Sequence, residues 1–292
     1  MKKVLVLTMT LLTIVACEKP IDDVEDITPV IDVPSKQFTF TVKGDFGAAT
    51  FKSKVRRAYL QADGNEMTDL WVLDYMNGQL IQQLHQTADD EKWGQPQMAL
   101  AYGSHHVYFI ASRGDEPTLD TEGHTISWGT IRDTFWQDYE VEVVSTSNGN
   151  RAVTLDRVAT KLRITINDEV PENCSSVSVT PERWYYGIDY ITGTAVSNQQ
   201  KERTISVPSS YIGTSGQLIM NFFGLSGSDE WTTNISVVAK DMNGATIGQA
   251  TIPGAPFKRN RATEYSGNLF ASGGGFDVSI NSDWENPRTG QW

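Results

Sequence analysis

Cys17 is the residue best placed for covalent chemistry. It follows Ile14-Val15-Ala16 at the end of an uncharged run, Val4 to Ala16, headed by Lys2 and Lys3. A positive head, an apolar middle and a small terminal residue form the three-part layout of a secretory signal. The 13-residue run is too short to span a bilayer as a helix, which takes about 20 residues. Cys174 is the one other thiol and carries no nucleophile signature, so a modified Cys17 leaves no intrachain disulfide. His105-His106 is the one histidine pair, but neighbours on a strand face opposite ways and cannot share a metal. His85 and His124 lack ligand-like spacing, and Asp63-Gly64-Asn65 and Asp89-Asp90-Glu91 lack calcium-loop spacing. No carboxylate pair is singled out for glycoside hydrolysis, and there is no G-x-S-x-G elbow, P-loop or dinucleotide fingerprint. The reading is therefore of a non-enzymatic chain with no catalytic residue, metal or cofactor. Arg56-Arg57 after Lys54 reads either as a proteolytic site or as solvent-facing arginines on a strand. Trp184-Tyr185-Tyr186 offers flat rings for a sugar, or large aromatics for a core.

The 292 residues carry 39% apolar and 21% charged side chains, enough for one large or two ordinary domains. Net charge is -12, and loss of Lys2 and Lys3 with residues 1–16 makes it more negative. Such a balance argues against nucleic acid as a partner, because phosphate binding needs basic patches. Residues 17–35 are acidic, rich in proline and free of aromatics, a composition that cannot bury enough surface to order itself. They read as a tether.

From Lys36 the period switches to two. Phe38, Phe40 and Val42 alternate with Thr39 and Thr41, the mark of a half-buried strand. Leu70 to Met76 is a second strand, and Asn77-Gly78 makes 70–84 a hairpin with a type I′ turn. Val107 to Ala111 suits a central strand. Gly114 to Gly123 reads as loop, Thr130 to Trp136 as one short helix, and Val141 as the start of the last strand of this half. Beyond a turn-rich break at 145–150, strands are expected around Leu162-Ile164-Ile166, Val177-Val179, Ile205-Val207, Leu218–Phe223 and Ile235–Val238. Asp241 to Gly244 turns a further hairpin into Ile247 and Ile252. Phe276, Val278 and Ile280 alternate cleanly at the end and read as a donor or edge strand. Many short strands with regular turns predict an all-β chain of two tandem antiparallel β-sandwich domains, 36–152 and 153–292.

Ile14-Val15-Ala16-Cys17 resembles the lipobox of bacterial lipoproteins. That resemblance implies cleavage before Cys17, palmitate-type acylation there and anchoring in the lipid membrane. The acids after Cys17 are similar to an export signal for the outer face of the outer membrane, or are a plain solvated linker. Asp69 to Tyr75 with Asn77-Gly78, Leu100-Ala101-Tyr102-Gly103, Ile110 to Gly114, Ile131 to Trp136, Leu155 to Leu162, Phe257 to Thr263 and Gly267 to Phe270 together resemble the fimbrillin and fimbrial-anchor lipoproteins of type V pili, the FimB-like family. The family implies two transthyretin-like sandwiches, other fimbrial subunits as partners, and assembly by strand addition. It also implies a lipid-anchored, surface-exposed place on the outer membrane, as anchor or accessory subunit. A surface glycan-binding lipoprotein, with a glycan or host-surface ligand, is the alternative.

Overall fold

A computed structural model describes residues 34–44, 67–113, 115–227, 229–271 and 275–281. The first half contains β1 (Ser35–Gly44), β2 (Asp69–Met76), β3 (Gln79–Thr87), β4 (Gln97–Ala101), β5 (Gly103–Ser112), β6 (Thr118–Asp120), β7 (Thr125–Ser127), β8 (Thr134–Val143) and β9 (Asn150–Arg157). The second contains β10 (Ala159–Ile166), β11 (Cys174–Pro181), β12 (Trp184–Asp189), β13 (Thr194–Gln199), β14 (Arg203–Ser206), β15 (Leu218–Leu225), β16 (Trp231–Asp241), β17 (Thr246–Phe257), β18 (Ala262–Gly267) and β19 (Phe276–Asn281). Among the described residues the one helical element is the 3₁₀ turn Ser209–Tyr211. The chain is all-β, as its alternating pattern predicts.

Seven strands form one sheet in the order β3-β2-β5-β8-β9-β1-β4. Its junction between β8 and β9 is only two register pairs long, Phe135–Arg157 and Trp136–Asp156. The sheet turns over there, and β1, β4 and β9 close on β2, β5 and β8 around Phe38, Phe40, Leu70, Val72, Leu100, Phe109, Phe135 and Leu155. The rings of Phe40 and Phe109 meet edge to face at 5.1 Å, the geometry that the aromatic quadrupole favours. Asn77 and Gly78 take φ of 53° and 74° in the β2–β3 turn, so the expected hairpin forms.

The second core lies between sheets β15-β10-β18-β19 and β14-β11-β16-β17. Leu162, Ile164 and Ile166 of β10 face Val177 and Val179 of β11 and Ile235 and Val237 of β16, all buried. A third sheet, β13-β12-β7-β6, mixes strands from both halves of the sequence. Through it Ile126, Trp128 and Ile131 join the second core. The expected division at 152/153 falls inside β9, which pairs with β1 and β8.

Three local expectations change. Residues 134–136 are not helical but open β8, paired with β5 from Ser112–Thr134 to Gly103–Val143. Ile131 and Phe135 sit at helical spacing, yet Phe135 enters the first core and Trp136 packs against the second. Alternation across a sheet therefore overrides the local pattern. Val141 lies near the end of that strand, not its start. The 114–123 segment includes the short strand β6, paired with β7.

Candidate functional site

The sequence offers Phe276, Val278 and Ile280 as a donor or edge strand, and the structure builds a specific seat for that strand. β10 supports β18 in parallel. β18 in turn pairs antiparallel with β19 through six register pairs, Ala262–Asn281 to Gly267–Phe276. Among the described strands β19 is the outermost of its sheet. Phe276 is half-buried and packs against the second core. Val278 and Ile280 lie opposite Tyr265 and Thr263 in register, and their side chains lie outside the described residues.

Two residues to which the sequence reading gave no site role hold this seat. Gly267 is buried, and a Cβ there would lie 2.1 Å from Gly275 O and 2.7 Å from Phe276 Cα. Only glycine lets the two backbones approach so closely. Asp168 clasps the connection: its carboxylate accepts the backbone N–H groups of Leu269 at 3.1 Å, Phe270 at 2.7 Å and Ala271 at 2.9 Å. A carboxylate answering successive amides is a charge-assisted clamp, stronger than neutral turn bonds. Asn167 N donates to Gly267 O and Asn268 N to Gly275 O, at 2.7 and 3.1 Å. Among the described residues no strand pairs with the far edge of β19, and the chemistry such an edge offers is main-chain pairing. A small residue at the end of a strand and an acid just past a strand are the only sequence signals for Gly267 and Asp168, and both are common.

Cys17, Arg56 and Arg57 lie outside the described residues. Cys174 is buried, and burial pushes its thiol above the usual range. Of the two readings of Trp184-Tyr185-Tyr186, Trp184 and Tyr186 follow the core one, at 1% and 2% exposed. Trp184 Nε1 donates to Phe223 O at 2.9 Å, and its ring meets Phe257 edge to face at 4.9 Å. A β-strand had to put two of three consecutive residues on one face, and that face is the core.

His105 and His106 do point apart. His105 is enclosed, with Nδ1 2.7 Å from Asp74 Oδ1 and Nε2 3.0 Å from Ala101 O. Both partners are acceptors, so both bonds form together only when the ring carries two protons. Burial lowers the His105 pKa, but the hydrogen bond and charge of Asp74 outweigh it and the net shift is upward. His106 lies at the exposed end of the β5 face that carries Tyr108, against Asp138 of β8.

No curated protein matches the chain. Solved structures of the same fold include a candidate adhesin from Bacteroides ovatus, 10% identical, with a TM-score of 0.51 over 78% of this chain and 85% of its own. A second candidate adhesin, from Bacteroides thetaiotaomicron, is 10% identical with a TM-score of 0.51 over 86% and 97% of the two chains. A candidate polysaccharide-binding protein from Bacteroides thetaiotaomicron is 9% identical, again at 0.51, over 84% and 96%. At such identities the likeness establishes the fold. Residues 118–291, from β6 onward, match one sequence family over more than half of the chain, and the chain belongs to that family of unknown function, DUF6562.

Proposed function

We propose that this chain is a non-enzymatic lipoprotein of the outer membrane that serves as a fimbrial anchor or accessory subunit and joins its neighbours by β-strand addition. The observation that carries the proposal is the seat of β19. A terminal strand sits on a sheet edge, held by main-chain pairing to β18 and made possible by Gly267. Strand addition uses the same backbone bonds within a chain as between chains. The fold is shared with two candidate adhesins, which supports a role in surface assembly. Lipid on Cys17 and the tether 17–35 would hold the two sandwiches outside the cell. Domains of 36–152 and 153–292 are the corresponding division, and β9 crosses it to pair with β1 and β8.

Strand exchange is tested by locking β19 at home. Ser266 and Asp277 are register partners with exposed side chains. Antiparallel partners sit about 4.5–5.5 Å apart at Cα, inside the range of about 4.4–6.8 Å that a disulfide spans. Ser266→Cys with Asp277→Cys should abolish co-purification with fimbriae under oxidising conditions and restore it on reduction. Equal co-purification in both states would remove β19 from assembly. For the anchor, Cys17→Ala should release the chain from washed membranes, and unchanged retention would remove the lipid.

A further inference from the structure

We infer that His106, Asp138 and Glu140 form a divalent-metal site at the exposed end of the β5–β8 face that carries Tyr108, suited to Zn²⁺ and similar borderline cations. The ladder between the two strands builds it. His106 is the register partner of Glu140, and Tyr108, two residues along the same face, is the partner of Asp138. His106 Nδ1 lies 3.1 Å from each oxygen of Asp138. One ligand atom from each of the three residues falls within 4.8 Å of the others. Metal–ligand bonds of about 2.0–2.1 Å in a tetrahedron put ligand atoms about 3.3 Å apart. The His106–Asp138 spacing already meets that value. Glu140 is exposed and closes the remaining gap by rotating its side chain.

The surroundings fit a cation better than a plain ion pair. Asp138, Glu140 and Glu142 follow one another along the same face of β8, and among the described residues no Lys or Arg forms an ion pair with any of them. Glu142 is held by Ser104 Oγ, which leaves Glu140 as the movable carboxylate. The His106 ring stacks on Tyr108, 6.1 Å between centroids and 14° between planes, which orients the imidazole. One nitrogen and two carboxylate oxygens are the donor set of zinc and its neighbours rather than of calcium or magnesium. A groove of about 310 Å³ opens beside the cluster, lined by Ser104, His105, His106, Glu140, Val141 and Glu142. Coordination positions that the protein leaves open would face it, as in sites that keep a place for an exogenous ligand. A histidine pair read along one strand hides this site, because its partners lie across the ladder.

Titrating ZnCl₂ into the purified full-length chain by calorimetry tests the site. One equivalent should bind, and His106→Gln, Asp138→Asn and Glu140→Gln should each weaken binding by about tenfold or more, the scale of losing a metal-site contact. His85→Gln should bind as the parent does. All four side chains are at least partly exposed, and the metal-free melting temperature of each variant is compared with the parent's to show the fold intact. Co²⁺ in place of Zn²⁺ gives a visible spectrum that reports nitrogen and oxygen ligation, and it should vanish in His106→Gln. Absence of binding by the parent would overturn the assignment. So would binding that survives the three substitutions together, or that is lost in His85→Gln.

Discussion

Gly267→Ala should unfasten β19 while leaving the rest of the second core intact. The alanine Cβ would stand 2.1 Å from Gly275 O, where ordinary contact begins at 3.4 Å. The backbone of β19 must therefore retreat by about 1.3 Å, and the Asn268 N to Gly275 O bond, now 3.1 Å, would open to about 4.4 Å, well outside hydrogen-bond range. One or two ladder bonds at about 1 kcal/mol each, with about 1 kcal/mol of Phe276 burial, give about 2–3 kcal/mol of local destabilisation. At about 1.4 kcal/mol per tenfold, local opening becomes about 30- to 150-fold more frequent. Hydrogen exchange read by mass spectrometry measures this directly. Protection should drop by that factor in peptides covering 262–281 and stay unchanged in β16 and β17. Unaltered protection of 276–281 in Gly267→Ala would refute the claim that close backbone approach holds the strand.

Trp184→Ala should cost about 3–5 kcal/mol in urea unfolding, because it empties a fully buried indole site; a loss below about 1 kcal/mol would contradict its place in the core. The buried His105–Asp74 pair makes stability pH-dependent. The His105 pKa is raised in the folded chain, so its contribution is complete below the unfolded value of about 6.5 and fades as pH climbs through the folded value. Asp74→Asn should flatten that part of the urea-midpoint profile. Lys161 gives the opposite slope. Burial lowers its pKa to about 8, the unfolded chain keeps that proton until about 10.4, and stability should rise with pH between the two. Lys161→Met should remove the rise, and a profile identical to the parent's would show that the ammonium is not desolvated.

Alternation made much of the fold legible. Phe38, Phe40 and Val42 point inward because each is followed by a polar residue that must face water. The same rule read Leu162, Ile164 and Ile166 correctly and placed the Asn77-Gly78 turn. What stayed hidden depends on partners distant in sequence. Thr134 to Trp136 became a strand because β5 offered a ladder, which no local spacing records. β6 and β7 are three residues each, too short for a period to register; β7 finds its place beside β12 of the other half, and β6 beside β7. Asp168 clasps residues a hundred positions away. The Asp138 and Glu140 partners of His106 appear only once β5 and β8 are in register.

The strand Leu70 to Met76, apolar but for Asp74, has a consequence for the whole chain. A strand with one wet face alternates, whereas β2 is buried on both faces. Leu70 and Val72 enter the first core while Leu73 and Tyr75 join the second. Tyr108 and Ile110 do the same from β5. Tyr75 Oη meets Tyr190 Oη at 2.8 Å, and Trp136 Nε1 donates to Tyr190 O at 2.8 Å. Gly193, at φ 67°, leaves room for the Trp136 ring, which a Cβ would meet at 2.9 Å. The two cores thus share one sheet as a common wall, without an intervening linker. Hinge motion would have to expose Leu73 and Ile110 and strip the partners from a buried tyrosine pair, each a cost of kilocalories. β19 is thus linked through the ladders to β18 and β10 to the second core, which β2 and β5 share.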